Sequence, residues 1–97
     1  MRYEFHPEAL EEYDEAARHY ARKEPDLDLR FIVCVENAIE AILEDPPRWR
    51  RFDEDVRRCL TRVFPYAILY TLEPDFILIV AVAHCSREPG YWKHRIT

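Results

Sequence analysis

The order of apolar and polar positions divides this chain into a helical first half and a strand-rich second half. Residues 2–5 alternate polar and apolar side chains, which predicts a short first strand. Apolar residues then recur at helical spacing in two segments, and Pro25 separates them. The first stripe runs through Ala9, Tyr13, Ala16 and Tyr20, and the second from Phe31 to Leu43. So short a break predicts an antiparallel helical hairpin.

The residues at the ends of the two stripes fit helix boundaries. Pro7 stands in the first turn of the first helix, where its missing N–H costs nothing. Pro25 ends that helix, and Asp26 is the expected N-cap of the second. The second helix should end near Asp45-Pro46-Pro47.

The second half of the chain carries three further predicted strands, at 56–63, 67–73 and 76–84, after a polar loop that spans 50–55. Short turns that contain Pro65 and Pro74 join these strands, which favours antiparallel hairpins. We therefore expect one α+β domain over residues 1–97, with an N-terminal strand and a helical hairpin packed on one face of a small antiparallel β-sheet.

Charge is distributed unevenly between the two halves. Residues 1–45 hold 13 acidic and 5 basic side chains, whereas residues 46–97 hold 6 acidic and 9 basic ones. Six of the arginines lie between Arg48 and Arg62. The net charge of −5 nevertheless argues against a protein whose whole surface grips nucleic acid, because phosphate affinity grows with the number of cationic contacts.

Several classes of protein are disfavoured by what the chain lacks. No apolar run approaches the roughly 20 residues of a membrane span, so we expect a cytoplasmic protein with no membrane partner. A single glycine leaves no phosphate-binding loop, and the three cysteines are odd in number without a CxxC pair. His84 and Cys85 are adjacent and should point to opposite faces of a strand. We therefore expect no cofactor and no metal.

The element order and several residue patterns resemble the RelE/ParE family, the toxin halves of bacterial type II toxin–antitoxin modules (plasmid stabilisation systems). The patterns are Asp45-Pro46 after the helix pair, Arg58 in a strand before Phe64-Pro65-Tyr66-x-Ile68-x-Tyr70, and Val82-x-His84 before Arg87-x-Pro89-x-x-Trp92. The resemblance implies a growth-inhibiting toxin with the RelE/ParE-like fold. It also implies a cognate antitoxin from the neighbouring gene and possible higher-order toxin–antitoxin complexes.

Two mechanisms occur in the family, because ParE-like members poison DNA gyrase and RelE-like members cut mRNA on the ribosome. RelE-like members usually carry a basic residue just after the turn tyrosine, and Ala67 stands there in this chain. This absence favours the ParE-like, gyrase-directed alternative, in which no catalytic residue is needed. Whether the protein is an enzyme stays open, and a non-toxic binding module that keeps only the antitoxin interface is a third alternative.

If the protein cuts RNA, three residues near the exit of the last strand are the candidate catalytic groups. His84 could act as a base or acid, Arg87 as a phosphate clamp, and Tyr91 as an acid or stacking group. The plain alternative for His84 is a structural residue whose ring nitrogens are bonded to backbone.

Three further residues are candidate contacts with the target or the antitoxin: Arg58, Arg62 and Trp92. Strand alternation should place Arg58 and Arg62 on one face of the sheet. The plainer alternative for Arg58 is an ion pair with Asp53 or Asp55. Trp92 should fold back as a C-terminal lid on the core, or serve as an aromatic anchor in an interface.

Overall fold

The computed structural model describes residues 1–96 and has two helices packed on one face of a five-stranded mixed sheet. The elements are β1 (Arg2–Phe5), α1 (Pro7–Lys23), α2 (Leu27–Glu44), β2 (Arg51–Asp53), β3 (Val56–Leu60), β4 (Tyr66–Leu72) and β5 (Phe76–His84). Single 3-10 turns follow at Pro46–Arg48 and Lys93–Arg95. The predicted α+β class and the helical hairpin are confirmed.

The helix boundaries lie where the sequence placed them, but their caps differ in detail. Pro7 is the first residue of α1, and the Nδ1 atom of His6 accepts a hydrogen bond from the Glu8 N–H at 3.1 Å. Asp26 precedes α2 as expected, yet it has a φ of +66° and its carboxylate caps no N–H. The apolar stripe of α2 is buried at Phe31, Val35, Ala38, Ile39 and Ile42.

The strand order is β1-β5-β4-β3-β2, and every pairing is antiparallel except that of β1 with β5. The expectation of a purely antiparallel sheet is therefore corrected at β1, which pairs in parallel from Arg2 against Phe76 to Phe5 against Ile79. No hairpin joins these two strands. Because the chain reaches β5 from β1 through both helices and three strands, turn geometry does not impose an antiparallel direction on this pair.

Two local features also differ from the expectation. The polar stretch expected as a loop contains β2, which turns back on β3 through Glu54 at a φ of +50°. The next strand ends at Leu60 rather than at residue 63, because the backbone turns at Val63, where φ is +71°. The Thr61 hydroxyl oxygen lies 2.9 Å from the Phe64 carbonyl oxygen and 3.1 Å from the Tyr66 carbonyl oxygen, so its single proton is shared between them and holds this turn.

The sheet has a hydrophobic cluster on each face. The helix face packs against α1 and α2 around Phe31, whose ring lies 5.0–5.3 Å from the rings of Tyr20, Phe64 and Tyr66. The other face, here called the open face, carries Val56, Leu69 and the alanines of β4 and β5. It has no helix over it within residues 1–96, and Trp92 covers it instead.

Candidate functional site

A cavity of about 270 Å³ opens on the open face, beside the exit of β5. Five of the six site residues predicted from the sequence line it: Arg58, His84, Arg87, Tyr91 and Trp92. Its floor includes Ala67 and Ala83, which are paired across β4 and β5 and leave room above them because their side chains are small. We call this the open-face cavity.

The chain that follows β5 builds one wall of this cavity. The Arg87 N–H donates to the His84 carbonyl at 3.0 Å, and Gly90 then turns the backbone at a φ of +75°. This conformation suits glycine, and a Cβ there would stand 3.1 Å from Lys93 Cε. Trp92 is 3% exposed within the open-face cluster, so the expected fold-back of this residue is confirmed.

Glu12 of α1 ties the C-terminal segment to the body of the protein. Its carboxylate accepts hydrogen bonds from the Tyr91 hydroxyl at 2.5 Å and from the Arg95 guanidinium at 2.8 and 3.2 Å. It also accepts from the backbone N–H of Val82 at 3.1 Å. No local signal in the sequence marks Glu12 and Arg95 as partners, because they stand 83 positions apart and meet only after folding.

Within this network the Tyr91 hydroxyl is poorly placed to donate a proton to a substrate. Burial raises the pKa of Tyr91 well above its ordinary range, and the Glu12 carboxylate that accepts its hydrogen bond raises it further. The guanidinium of Arg87 lies 3.8 Å from the centre of the same ring, as a cation–π contact. Tyr91 therefore positions Arg87 and is poorly suited to act as an acid.

His84 stands between the open-face cavity and a smaller one of about 180 Å³ on the helix face. Its Nδ1 atom accepts the Ser86 N–H at 3.0 Å and lies 2.7 Å from the Ser86 hydroxyl. Because Nδ1 accepts a backbone proton, the neutral ring carries its own proton on Nε2. In this arrangement His84 presents a donor and offers no free lone pair for a base.

The prediction of an ion pair between Arg58 and Asp53 or Asp55 is wrong, because both carboxylates pair with other cations. Lys93 Nζ lies 3.1 Å from the Asp53 carboxylate, and Arg51 Nη1 lies 3.6 Å from the Asp55 carboxylate. Arg58 instead lies over the Phe52 ring at 5.2 Å and remains exposed at the edge of the open-face cavity.

Strand alternation predicts that Arg62 and Arg58 lie on one face of the sheet, and this prediction is wrong. Because β3 ends at Leu60, Arg62 lies beyond the strand and lines a separate cavity of about 300 Å³ beside α2. The predicted contact residues therefore divide between two surfaces.

Residues 1–96 contain no cluster of three or more histidine, cysteine or carboxylate side chains placed to hold a metal ion. None of the helices described is long and apolar enough to cross a membrane. The three cysteines, at 34, 59 and 85, are free thiols.

Comparisons with known proteins identify a family from the sequence and a matching fold from a solved structure. The family model for the ParE toxin of the type II toxin–antitoxin system parDE matches residues 3–89. A chain from the chromosomal ParDE toxin–antitoxin system of P. aeruginosa has the same fold, with a TM-score of 0.76 and 14% sequence identity. The match covers 87% of this chain and 95% of that chain. No curated protein sequence matches.

Proposed function

Because this chain belongs to the family of ParE toxins of type II toxin–antitoxin systems, we propose that it inhibits growth by binding DNA gyrase and that a cognate antitoxin neutralises it. The proposed contact surface is the open-face cavity, with the exposed Arg58 and Arg87 as its main contacts and the buried Trp92 as part of the wall that supports them. Gyrase is a cytoplasmic enzyme, so the protein would act in the cytoplasm.

We favour the gyrase mechanism because the two groups that could transfer a proton in RNA cleavage already have hydrogen-bond partners within the protein. The Nδ1 atom of His84 is occupied by Ser86, and the Tyr91 hydroxyl is occupied by Glu12. RNA cleavage by attack of the 2′-hydroxyl needs a base to accept its proton and an acid for the leaving oxygen. A toxin that stalls an enzyme by binding needs neither.

The open-face cavity has the chemistry of a protein-binding surface. Arg58 and Arg87 stand exposed at its edge, while its floor is made of buried alanine and leucine side chains. Aromatic and arginine side chains around an apolar depression are the composition that dominates binding energy at protein interfaces. Phe52 and Trp92 supply the aromatic part and lie 5.9 Å apart in an edge-to-face contact.

One observation favours mRNA cleavage as the second candidate. His84 and Arg87 line both the open-face cavity and the smaller cavity on the helix face. The hydrogen-bond donor of His84 and the cation of Arg87 therefore lie together where the two cavities meet. A phosphate bound there would meet both groups. On this alternative His84 would have to be protonated on both ring nitrogens, with Nδ1 released from the Ser86 N–H, to act through Nε2 as an acid, and another group would have to supply the base.

Induced expression of the chain in a bacterium, with pulse labelling of DNA and protein synthesis, tests the proposal. We expect early loss of DNA synthesis, and accumulation of cleaved DNA when the purified protein is added to gyrase and a plasmid. Arg58→Glu with Arg87→Glu should abolish both effects, whereas Arg30→Glu on the exposed part of α2 should not.

The second candidate predicts a different result in the same experiment. If translation stops first and His84→Gln removes the arrest while the protein stays folded, the mRNA endonuclease replaces the gyrase mechanism. If a soluble, folded product causes no arrest, the chain is an inert antitoxin-binding module.

A further inference from the structure

The guanidinium of Arg87 lies against an aromatic ring rather than a carboxylate. No ion pair of residues 1–96 includes Arg87, and its side chain is exposed beside the open-face cavity. The guanidinium carbon lies 3.8 Å from the centre of the Tyr91 ring. A cation held on a ring face keeps its N–H donors available to an anionic group. The orientation of the Tyr91 ring therefore decides where these donors point.

The Tyr91 ring is fixed at both of its ends. The Tyr91 N–H donates to the Glu88 carbonyl at 3.3 Å, and the Tyr91 hydroxyl donates to the Glu12 carboxylate at 2.5 Å. Two rotatable bonds lie between the backbone and the ring of a tyrosine. Because both ends are bonded, the plane of the ring has little freedom to turn about either of them.

The Glu12 carboxylate is itself held by two further groups. Its Oε1 atom accepts from the Val82 N–H of β5 at 3.1 Å and from Arg95 Nη1 at 2.8 Å. Its Oε2 atom accepts from Arg95 Nη2 at 3.2 Å, beside the Tyr91 hydroxyl. A rigid series of contacts therefore runs from the backbone of β5 through Glu12 and Tyr91 to Arg87.

We propose that Glu12 is a positioning residue for the contact between Arg87 and gyrase, and that it acts through the Tyr91 ring. The inference rests on the proposed function, because it assumes that Arg87 contacts gyrase. Glu12 belongs to α1 and does not line the open-face cavity, so it would not touch the target there. Its contribution is pre-organisation, since an arginine that is already oriented loses less rotamer freedom on binding.

Tyr91→Phe isolates the hydroxyl that transmits this effect. The substitution keeps the aromatic ring beside Arg87 and removes the hydrogen bond to Glu12. Glu12 keeps its bonds to Val82 and Arg95, so the C-terminal segment stays attached to α1. A change in the affinity for gyrase can then be separated from loss of the segment.

Tyr13→Phe is the matched control. The Tyr13 hydroxyl also donates to a glutamate, Glu36 of α2, at 2.8 Å, and Tyr13 does not line the open-face cavity. Both variants should therefore lower the Tm by similar amounts. The affinity of the full chain for purified gyrase should fall by about threefold or more in Tyr91→Phe and stay unchanged in Tyr13→Phe.

Repeating the binding measurement in two further backgrounds distinguishes positioning from a structural effect. If the hydroxyl acts through Arg87, Tyr91→Phe should have almost no further effect on affinity in an Arg87→Ala background. It should keep its full effect in an Arg58→Ala background, because Arg58 lies over the Phe52 ring instead. A variant that merely disturbed the fold would weaken binding equally in both backgrounds.

NMR of the free chain tests the orientation of Arg87 without gyrase. Phenylalanine and tyrosine rings both shift the resonances of nearby protons, so a change at the Arg87 side chain reports a displaced ring. In Tyr91→Phe the Arg87 Hδ resonances should move towards those of an unstructured arginine. In Tyr13→Phe they should stay where they are.

The outcomes distinguish the two proposals. If the unaltered chain binds gyrase and Tyr91→Phe binds it equally well, the positioning role is overturned and the proposed function stands. The same holds if Tyr91→Phe weakens binding as much in the Arg87→Ala background as in the unaltered chain. If the unaltered chain does not bind gyrase, the proposed function is overturned, and the positioning role falls with it.

Discussion

Replacement of Glu12 by alanine is the sharpest test of how the C-terminal segment is held. The substitution removes the acceptor of the Tyr91 hydroxyl, the Val82 N–H and both terminal nitrogens of Arg95. It leaves a guanidinium whose side chain is 6% exposed, with only the Glu8 carboxylate, 4.0 Å from Nε, as a remaining counterion. The only buried side-chain polar atom that has no partner in residues 1–96 is already the Nε of the same Arg95.

The magnitude follows from this burial. Removing one member of a buried ion pair costs about 3–5 kcal/mol, because the other charge stays desolvated and uncompensated. The Glu12 side chain is 17% exposed, so water can reach part of the gap, and we expect about 3 kcal/mol of lost stability. For a domain of this size that corresponds to a fall in Tm of roughly 12–24 °C.

Thermal and urea unfolding of the purified chain measure the loss, with Glu11→Ala as the matched control. Glu11 is the preceding residue on α1 and is exposed, so its replacement should change the free energy of unfolding by less than about 0.5 kcal/mol. The double variant with Arg95→Ala should be less destabilised than the sum of the single variants, by about 1–3 kcal/mol. If Glu12→Ala behaves like Glu11→Ala, the network does not hold the segment and this reasoning fails.

Three further predictions concern Trp92, Tyr70 and Glu8. Trp92→Ala should lower the free energy of unfolding, measured with urea, by about 3–5 kcal/mol, because it uncovers the open-face cluster. A loss below about 1 kcal/mol would contradict the claim that Trp92 covers this cluster. Burial raises the pKa of Tyr70 to about 12, above its unfolded value near 10. The protonated Tyr70 hydroxyl therefore makes its full contribution to the free energy of unfolding below about pH 10, and this contribution is lost as the pH rises towards 12. The free energy of unfolding of Tyr70→Phe should fall less steeply over this pH range. Tyr70→Phe also loses the hydrogen bond from the Tyr70 hydroxyl to the Pro46 carbonyl, so its free energy of unfolding at pH 7 should be lower by about 1 kcal/mol. A hydrogen bond from His94 lowers the pKa of Glu8, and an NMR titration should find it raised in His94→Ala and unchanged in His19→Ala.

Much of the fold followed from local periodicity. The two apolar stripes were long enough to identify α1 and α2, and prolines marked their ends. Strand β2 gives no such signal, because it is three residues long with an arginine and an aspartate at its ends, and a strand that short has no measurable alternation. The end of β3 at Leu60 is equally hidden, since no propensity signals a valine at positive φ.

The candidate site was recoverable only in part. His84, Arg87, Tyr91 and Trp92 were found together because they lie within nine residues of one another at the end of a buried strand. Arg58 joins them through the pairing of β3, β4 and β5, which short turns between these strands made predictable. Glu12 was missed, because a glutamate on an acidic helix looks like any solvated side chain until its partners are known.

Local patterns in the chain predict the helices, the longer strands, the α+β class and the cluster of polar residues after β5. These features depend on interactions between residues near one another in the chain, which leave a periodic pattern. The parallel pairing of β1, the Glu12–Arg95 network and the placement of Arg62 on a different surface from Arg58 are visible only in the folded protein. Each of these depends on packing or backbone geometry that no neighbouring residue encodes, so only the folded chain shows which side chains meet.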